Sequence, residues 1–147
     1  MDISNKEYAD LVKKASPPSK VVRDCVFAFL IGGAICVAGQ LINNFFVYCN
    51  FDKPDASAMT SISMIFIGAL LTGLDLYDDI AVYGGAGSLV PITGFANSIV
   101  SPAMEFKTEG FVMGVGVNMF RIAGPVIVYG VSASVVYGLI YWITTLF

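Results

Sequence analysis

Residues 25–51 read CVFAFLIGGAICVAGQLINNFFVYCNF, twenty-seven positions without one charged side chain. A helix rises about 1.5 Å per residue and the hydrocarbon core is about 30 Å thick, so about 20 apolar residues cross it. Charge-free runs recur at 56–74, 80–104, 110–120 and 122–147. Buried helices of a water-soluble protein have shorter apolar runs with more charge between them. Across the 147 residues, 56% are hydrophobic, 13% are charged, and mean hydropathy is +0.77. Eight basic and eleven acidic side chains are too few for the polar skin of a soluble globule. The reading is an all-α polytopic integral membrane protein with about four hydrophobic segments, near 24–49, 56–74, 82–104 and 110–147. Residues 1–20 form a separate amphipathic segment, and 21–147 a single membrane domain.

Net charge of −3 argues against nucleic-acid binding, which needs basic stripes to offset phosphates. The chain has no histidine, which removes Ser-His and Cys-His nucleophile pairs and His-ligated zinc. Tyr77-Asp78 at a span end is similar to the Tyr-Asp of aspartyl intramembrane proteases. Their second Gly-x-Gly-Asp is missing, and that chemistry needs two cooperating carboxylates. No catalytic and no metal-binding residues are assigned. Cys25, Cys36 and Cys49 are too far apart on one helix to bond to each other, and read as small apolar packers.

Nine of the charged side chains lie in residues 1–24. Lys6, Lys13, Lys14, Lys20 and Arg23 precede the first span and only Lys53 follows it, which predicts a cytoplasmic N-terminus. The first apolar run far exceeds a signal-peptide core, so it is expected to stay in the mature protein. Ser4 through Glu7 fits a capping box, and Tyr8, Leu11, Val12 and Ala15 share one helical face. Pro17-Pro18 ends that helix. It would lie on lipid headgroups, dock a partner, or fray.

Small residues at helical spacing mark close helix packing: Ala28 with Gly32, Ala69 with Gly73, and Gly130, Ser134 and Gly138. These faces, and the small size of the chain, point to an oligomer. Gln40, Asn43 and Asn44 share a face that belongs to a helix interface or a wet cavity. Asp75, Asp78 and Asp79 read as a solvated acidic turn.

Residues 82–104 have span length but not span texture, with glycines at 84, 85, 87 and 94 and prolines at 91 and 102. Freed backbone amides at membrane depth are tolerated where protein buries them or water reaches them. The reading is a helix broken at Pro91 and Pro102 beside a cavity, with a merely kinked helix as the bland alternative. Residues 110–147 carry one charge, Arg121. As a single helix they would run about 57 Å, so a break near Arg121 or at Gly124-Pro125 is expected. A guanidinium stays charged, so Arg121 either snorkels or faces a wet interior. The internal position is preferred here, with Arg121, Asn118, Asn97, Thr93 and the backbones of Gly85, Gly87 and Gly94 lining a solute path. On that reading Arg121→Ala abolishes solute accumulation while the complex still assembles.

The stretches Gly-Ala-Gly-Ser-Leu-Val-Pro-Ile-Thr-Gly-Phe-Ala-Asn-Ser (85–98), Glu-Phe-Lys-Thr-Glu-Gly (105–110) and Val-Asn-Met-Phe-Arg-Ile-Ala-Gly (117–124) carry a resemblance. With Cys25–Asn44 and Leu70–Leu74, they resemble the stage V sporulation AC/AE membrane-protein family of endospore formers. The charged N-terminal extension and the 105–110 loop are more similar to the AC branch. Pro125 departs from it, since a non-proline residue is expected there. The resemblance implies a channel or transport complex in the forespore and spore inner membrane. Its solute would be pyridine-2,6-dicarboxylate (dipicolinate), moved as the dianion or calcium chelate during sporulation and germination. It implies membrane lipid, an AE-type membrane subunit and a soluble dipicolinate-binding AD-type subunit as partners. It implies no enzymatic step and no cofactor beyond calcium travelling with the solute. A non-conducting anchoring subunit is the alternative.

Overall fold

Val21–Tyr48 forms α1, a 28-residue helix with no side-chain cap at Lys20. The computed structural model describes Tyr8, Leu11, Val12, Ala15 and residues 20–146. Those four isolated residues are helical and exposed, while the Ser4–Glu7 capping box and Pro17-Pro18 lie outside the described residues. α1 stops where Asn50 turns left-handed at φ 64°, a conformation asparagine tolerates better than most residues. α2 (Lys53–Gly73) starts after an extended Asp52, with Pro54 in the first turn, where its missing N–H has no helical partner anyway. The helix ends in a second left-handed residue, Asp75 at φ 57°.

The third hydrophobic segment is broken at Gly85 and at Pro91, but not at Pro102. α3 (Tyr77–Gly84) ends at Gly85, whose φ of 46° and ψ of −125° suit only glycine. α4 (Ala86–Leu89) is a single turn, and an extended Pro91 then opens α5 (Ile92–Glu105). Pro102 lies inside α5 instead of ending it. A 3₁₀ turn (Phe106–Glu109), Gly110 at φ 97° and a π-helical stretch (Phe111–Gly116) lead into α6 (Val117–Leu146). The expected break at Gly124-Pro125 is also absent, for α6 runs unbroken through both. Pro125 removes only the N–H that would bond the Arg121 carbonyl, and one lost bond in thirty residues need not end a helix. The irregularity sits earlier, in the π stretch.

Among the described residues three helices are long and apolar enough to cross a membrane: Val21–Tyr48, Lys53–Gly73 and Phe111–Leu146. The broken segment is too short in each piece to join them, and its path explains why. α5 packs along α2 and runs parallel to it. A Cβ on Gly68 would lie 2.9 Å from Thr93 Cα, and Thr72 Oγ1 is 2.9 Å from the Asn97 amide oxygen. Asp75 and Asp78 then share one cavity with Ser101 and Glu105. Tyr77 and Glu105 therefore lie at one end of the bundle, and the segment between them goes in and comes back. Its top, at Thr93, is level with Gly68, about 8 Å above the end of α2. Among the described residues, the segment 77–105 thus enters and leaves the bundle at one end, between the second and third of the long apolar helices. Cysteines at Asp79 and Thr108, in a background without native cysteines, are expected to label from the same face of membrane vesicles. Labelling from opposite faces would restore a fourth crossing.

Candidate functional site

The re-entrant segment is held by hydroxyl groups where a regular helix would use its own ladder. Tyr77 is 3% exposed, although it sits within the acidic turn that the sequence reads as solvated. Its hydroxyl is 2.6 Å from the Ser88 carbonyl and 3.0 Å from Thr93 Oγ1. The phenol donates to the carbonyl, and the Thr93 hydroxyl donates to the phenol oxygen, so each group is satisfied. Ser88 donates to the Gly85 carbonyl at 2.9 Å. This knot ties the start of α3, the end of α4 and the start of α5 together. Without it, the chain between Gly85 and Thr93 would leave buried polar groups unpaired.

Glycines bring the pieces close enough for those bonds. A Cβ on Gly87 would fall onto the Ala28 carbonyl, and one on Gly32 would meet Gly87 O at 3.1 Å. The Ala28–Gly32 face thus packs against the broken segment of its own chain. A Cβ on Gly94 would lie 2.5 Å from Leu89 O. Gly87 and Gly94 are close-packing positions, and Gly85 is a turn; these backbones are engaged with protein instead of lining an open route. On α2 the close approach is at Gly68, which lies against Thr93, whereas Gly73 meets nothing within 4 Å. The Ala69–Gly73 pair is therefore not the face that packs against α5. Gly68-x-x-x-Thr72 carries the same small-residue signal one register earlier, so the sequence held the information in a neighbouring pair.

Asn97 is half-buried with Thr72, which donates to the Gly68 carbonyl at 2.8 Å. The Thr72 hydroxyl has one proton, shared between the Gly68 carbonyl and the Asn97 amide oxygen at 2.9 Å. Asn43 donates to Thr60 Oγ1 at 3.2 Å, so that amide belongs to the α1–α2 interface. Gln40 and Asn44 pair along their own helix at 2.8 Å. Asn118 donates to the Gly114 carbonyl at 2.8 Å, within the π-to-α transition. Arg121 is exposed on α6 and lines none of the cavities described here. Its internal position is thus corrected: the turn of α6 that buries Ala123 points the guanidinium outward.

A cavity of about 310 Å³ runs beside α5, from Leu89 and Gly94 down past Asn97, Ser98 and Ser101 to Glu105. Ser101 and Glu105 also border an adjoining cavity of about 300 Å³ with Thr72, Asp75 and Asp78. Of the residues singled out from sequence, Gly94 and Asn97 meet at the first cavity. Thr93 lies behind it, and Gly85 lines a separate cleft with Arg23 and Tyr83. Ser98, Ser101 and Tyr77 were not read as site residues, because isolated hydroxyls give no spacing pattern. Among the described residues no group of three His, Cys, Asp or Glu is placed to hold a metal ion.

Three long apolar helices and a broken segment pinned by hydroxyls define a polytopic α-helical membrane protein. The chain belongs to the SpoVAC/SpoVAEB sporulation membrane protein family, whose profile matches residues 24–140. It is 48% identical over 136 residues to the stage V sporulation protein AC of Bacillus subtilis (strain 168), a match covering 92% of this chain and 91% of that protein. No solved structure matches it.

Proposed function

We propose that this chain is a membrane subunit of a complex that moves dipicolinate, as calcium chelate or dianion, across the spore inner membrane. The AE-type membrane subunit and the dipicolinate-binding AD-type subunit are its proposed partners. The N-terminus is placed in the cytoplasm, and no enzymatic step is assigned to it. The observation that supports the reading is the cavity along α5, between Gly94 and Glu105, whose largely apolar wall carries Asn97, Ser98 and Ser101. A solute leaving water needs hydrogen-bonding groups along its route, and Asn97, Ser98 and Ser101 offer them. Protein in liposomes, with its partners, is expected to pass dipicolinate, and Asn97→Leu with Ser101→Leu to lose most of that flux.

One observation favours a non-conducting assembly role: the Thr93 hydroxyl and the Asn97 amide oxygen are engaged in internal bonds. On that second reading the Asn97→Leu/Ser101→Leu chain supports full flux, and only changes that loosen helix packing abolish it. The two outcomes exclude each other.

A further inference from the structure

Two cavities lie along one side of α1, and they differ in chemistry. The lower, about 560 Å³, opens between the start of α1 and the end of α3, where Arg23, Asp24, Ala28, Val82, Tyr83 and Ala86 border it. The upper, about 380 Å³, is walled by α1, α2 and α3 through Ile31, Ala34, Ala38, Met64, Leu71 and Ile80. Taking about 100° per residue, Arg23, Phe27, Ile31, Ala34 and Ala38 fall within one arc of about 80° on α1. Phe27 stands between the two cavities on that arc, and its ring is 6.4 Å from that of Tyr83. One seam between α1 and α3 thus has a polar mouth and an apolar interior.

The depth of each part follows from the sequence. Arg23 and Asp24 are the last charges before the uncharged run 25–51, and charged groups stay at the boundary of the hydrocarbon. Ile31 and Ala38 lie about 12 Å and about 22 Å further along the helix, within the hydrocarbon core. The upper cavity has no place for water. Its two hydroxyls, on Tyr77 and Thr93, are bonded to each other at 3.0 Å, and the rest of its wall is apolar. Water needs two or more polar partners, and an empty space of this size forfeits contacts over its whole lining. An apolar chain meets neither cost.

The mouth suits the other end of the same molecule. Arg23 approaches Asp24 through Nε at 3.5 Å, an exposed and therefore weak pair, which leaves both terminal amino groups for a phosphate. Lys20, three residues earlier, brings a second positive charge to that end of α1 against the one negative charge of Asp24. We propose that this seam binds one anionic glycerophospholipid, its phosphate on Arg23 and one acyl chain running past Phe27 and Tyr83 into the upper cavity. A free phosphate would satisfy only the mouth. The site stands whether or not the cavity beside α5 conducts, although Tyr77 borders both.

The test uses the full chain in phosphatidylcholine vesicles with a trace of phosphatidylglycerol that carries a photoactivatable group midway along one acyl chain. Labelling, mapped by mass spectrometry, is expected to concentrate on the peptides holding Ile31–Ala38 and Met64–Leu71 over the exposed faces of α6. Arg23→Ala, at an exposed position, is expected to cut that labelling about fivefold, the worth of about one basic side chain at an anionic headgroup. Lys53→Ala, at the far end of α2, leaves it unchanged. Ala34→Leu with Ala38→Leu, checked for unchanged helix content, fills the upper cavity and is expected to abolish it. Labelling spread evenly over all lipid-exposed faces overturns the proposal. So does equal labelling by the phosphatidylcholine analogue, or displacement by inorganic phosphate, which would assign the mouth to the free ion.

Discussion

Gly87→Val is expected to be the most damaging single substitution in the chain. The new side chain would have to occupy the place of the Ala28 carbonyl, with the Ala28 carbonyl carbon only 2.7 Å from Cβ. A flexible side chain in the way would rotate, but here both partners are backbone. α4 must lift from α1, which breaks the Ala28–Gly32 contact and pulls at Ser88, held by Tyr77. Overpacking of this kind costs about 3 kcal/mol or more when the obstacle cannot relax. The unfolding midpoint of the detergent-solubilised chain is the measurement. Gly33→Ala should not lower the same midpoint, since its Cβ meets nothing within 4 Å. A Gly87→Val chain as stable as its parent would mean that α4 does not dock on α1.

Tyr77→Phe tests the other element that holds the re-entrant segment. It keeps the ring and deletes one oxygen, so packing changes little. Ser88 O loses its phenol donor, Thr93 Oγ1 loses its acceptor, and both residues are buried. Leaving such groups unpaired costs about 1–3 kcal/mol each, and water is scarce at that depth. Thr93→Val removes one of the same bonds, so the double variant should lose less than the sum of the single losses. Additive losses would show that the hydroxyls act independently. The expected functional companion is a leak or a loss of transport, because α5 positions Asn97 and Ser101 through this knot.

The knot also explains why the candidate site was only partly legible. Thr93, Gly94 and Asn97 stand out in sequence because polar and glycine residues are conspicuous in an apolar run. Tyr77 did not, since next to three aspartates a tyrosine reads as part of a wet turn. Arg121 drew attention as a lone charge, but a lone charge says nothing of azimuth. Azimuth was set by which face of α6 buries Ala123 against the bundle.

Composition and charge spacing alone established the lipid environment, the helical class, about four hydrophobic segments and a break in the third. Those are local matters: rise per residue, hydrocarbon thickness and the φ that proline or glycine allows act on a few neighbours at a time. Packing decided the rest. Whether residues 77–105 cross or turn back depends on α5 lying parallel to α2, a contact between Gly68 and Thr93 that no local preference encodes. The same contact puts Glu105 beside Asp75, and leaves half of α6 without a neighbour in its own chain.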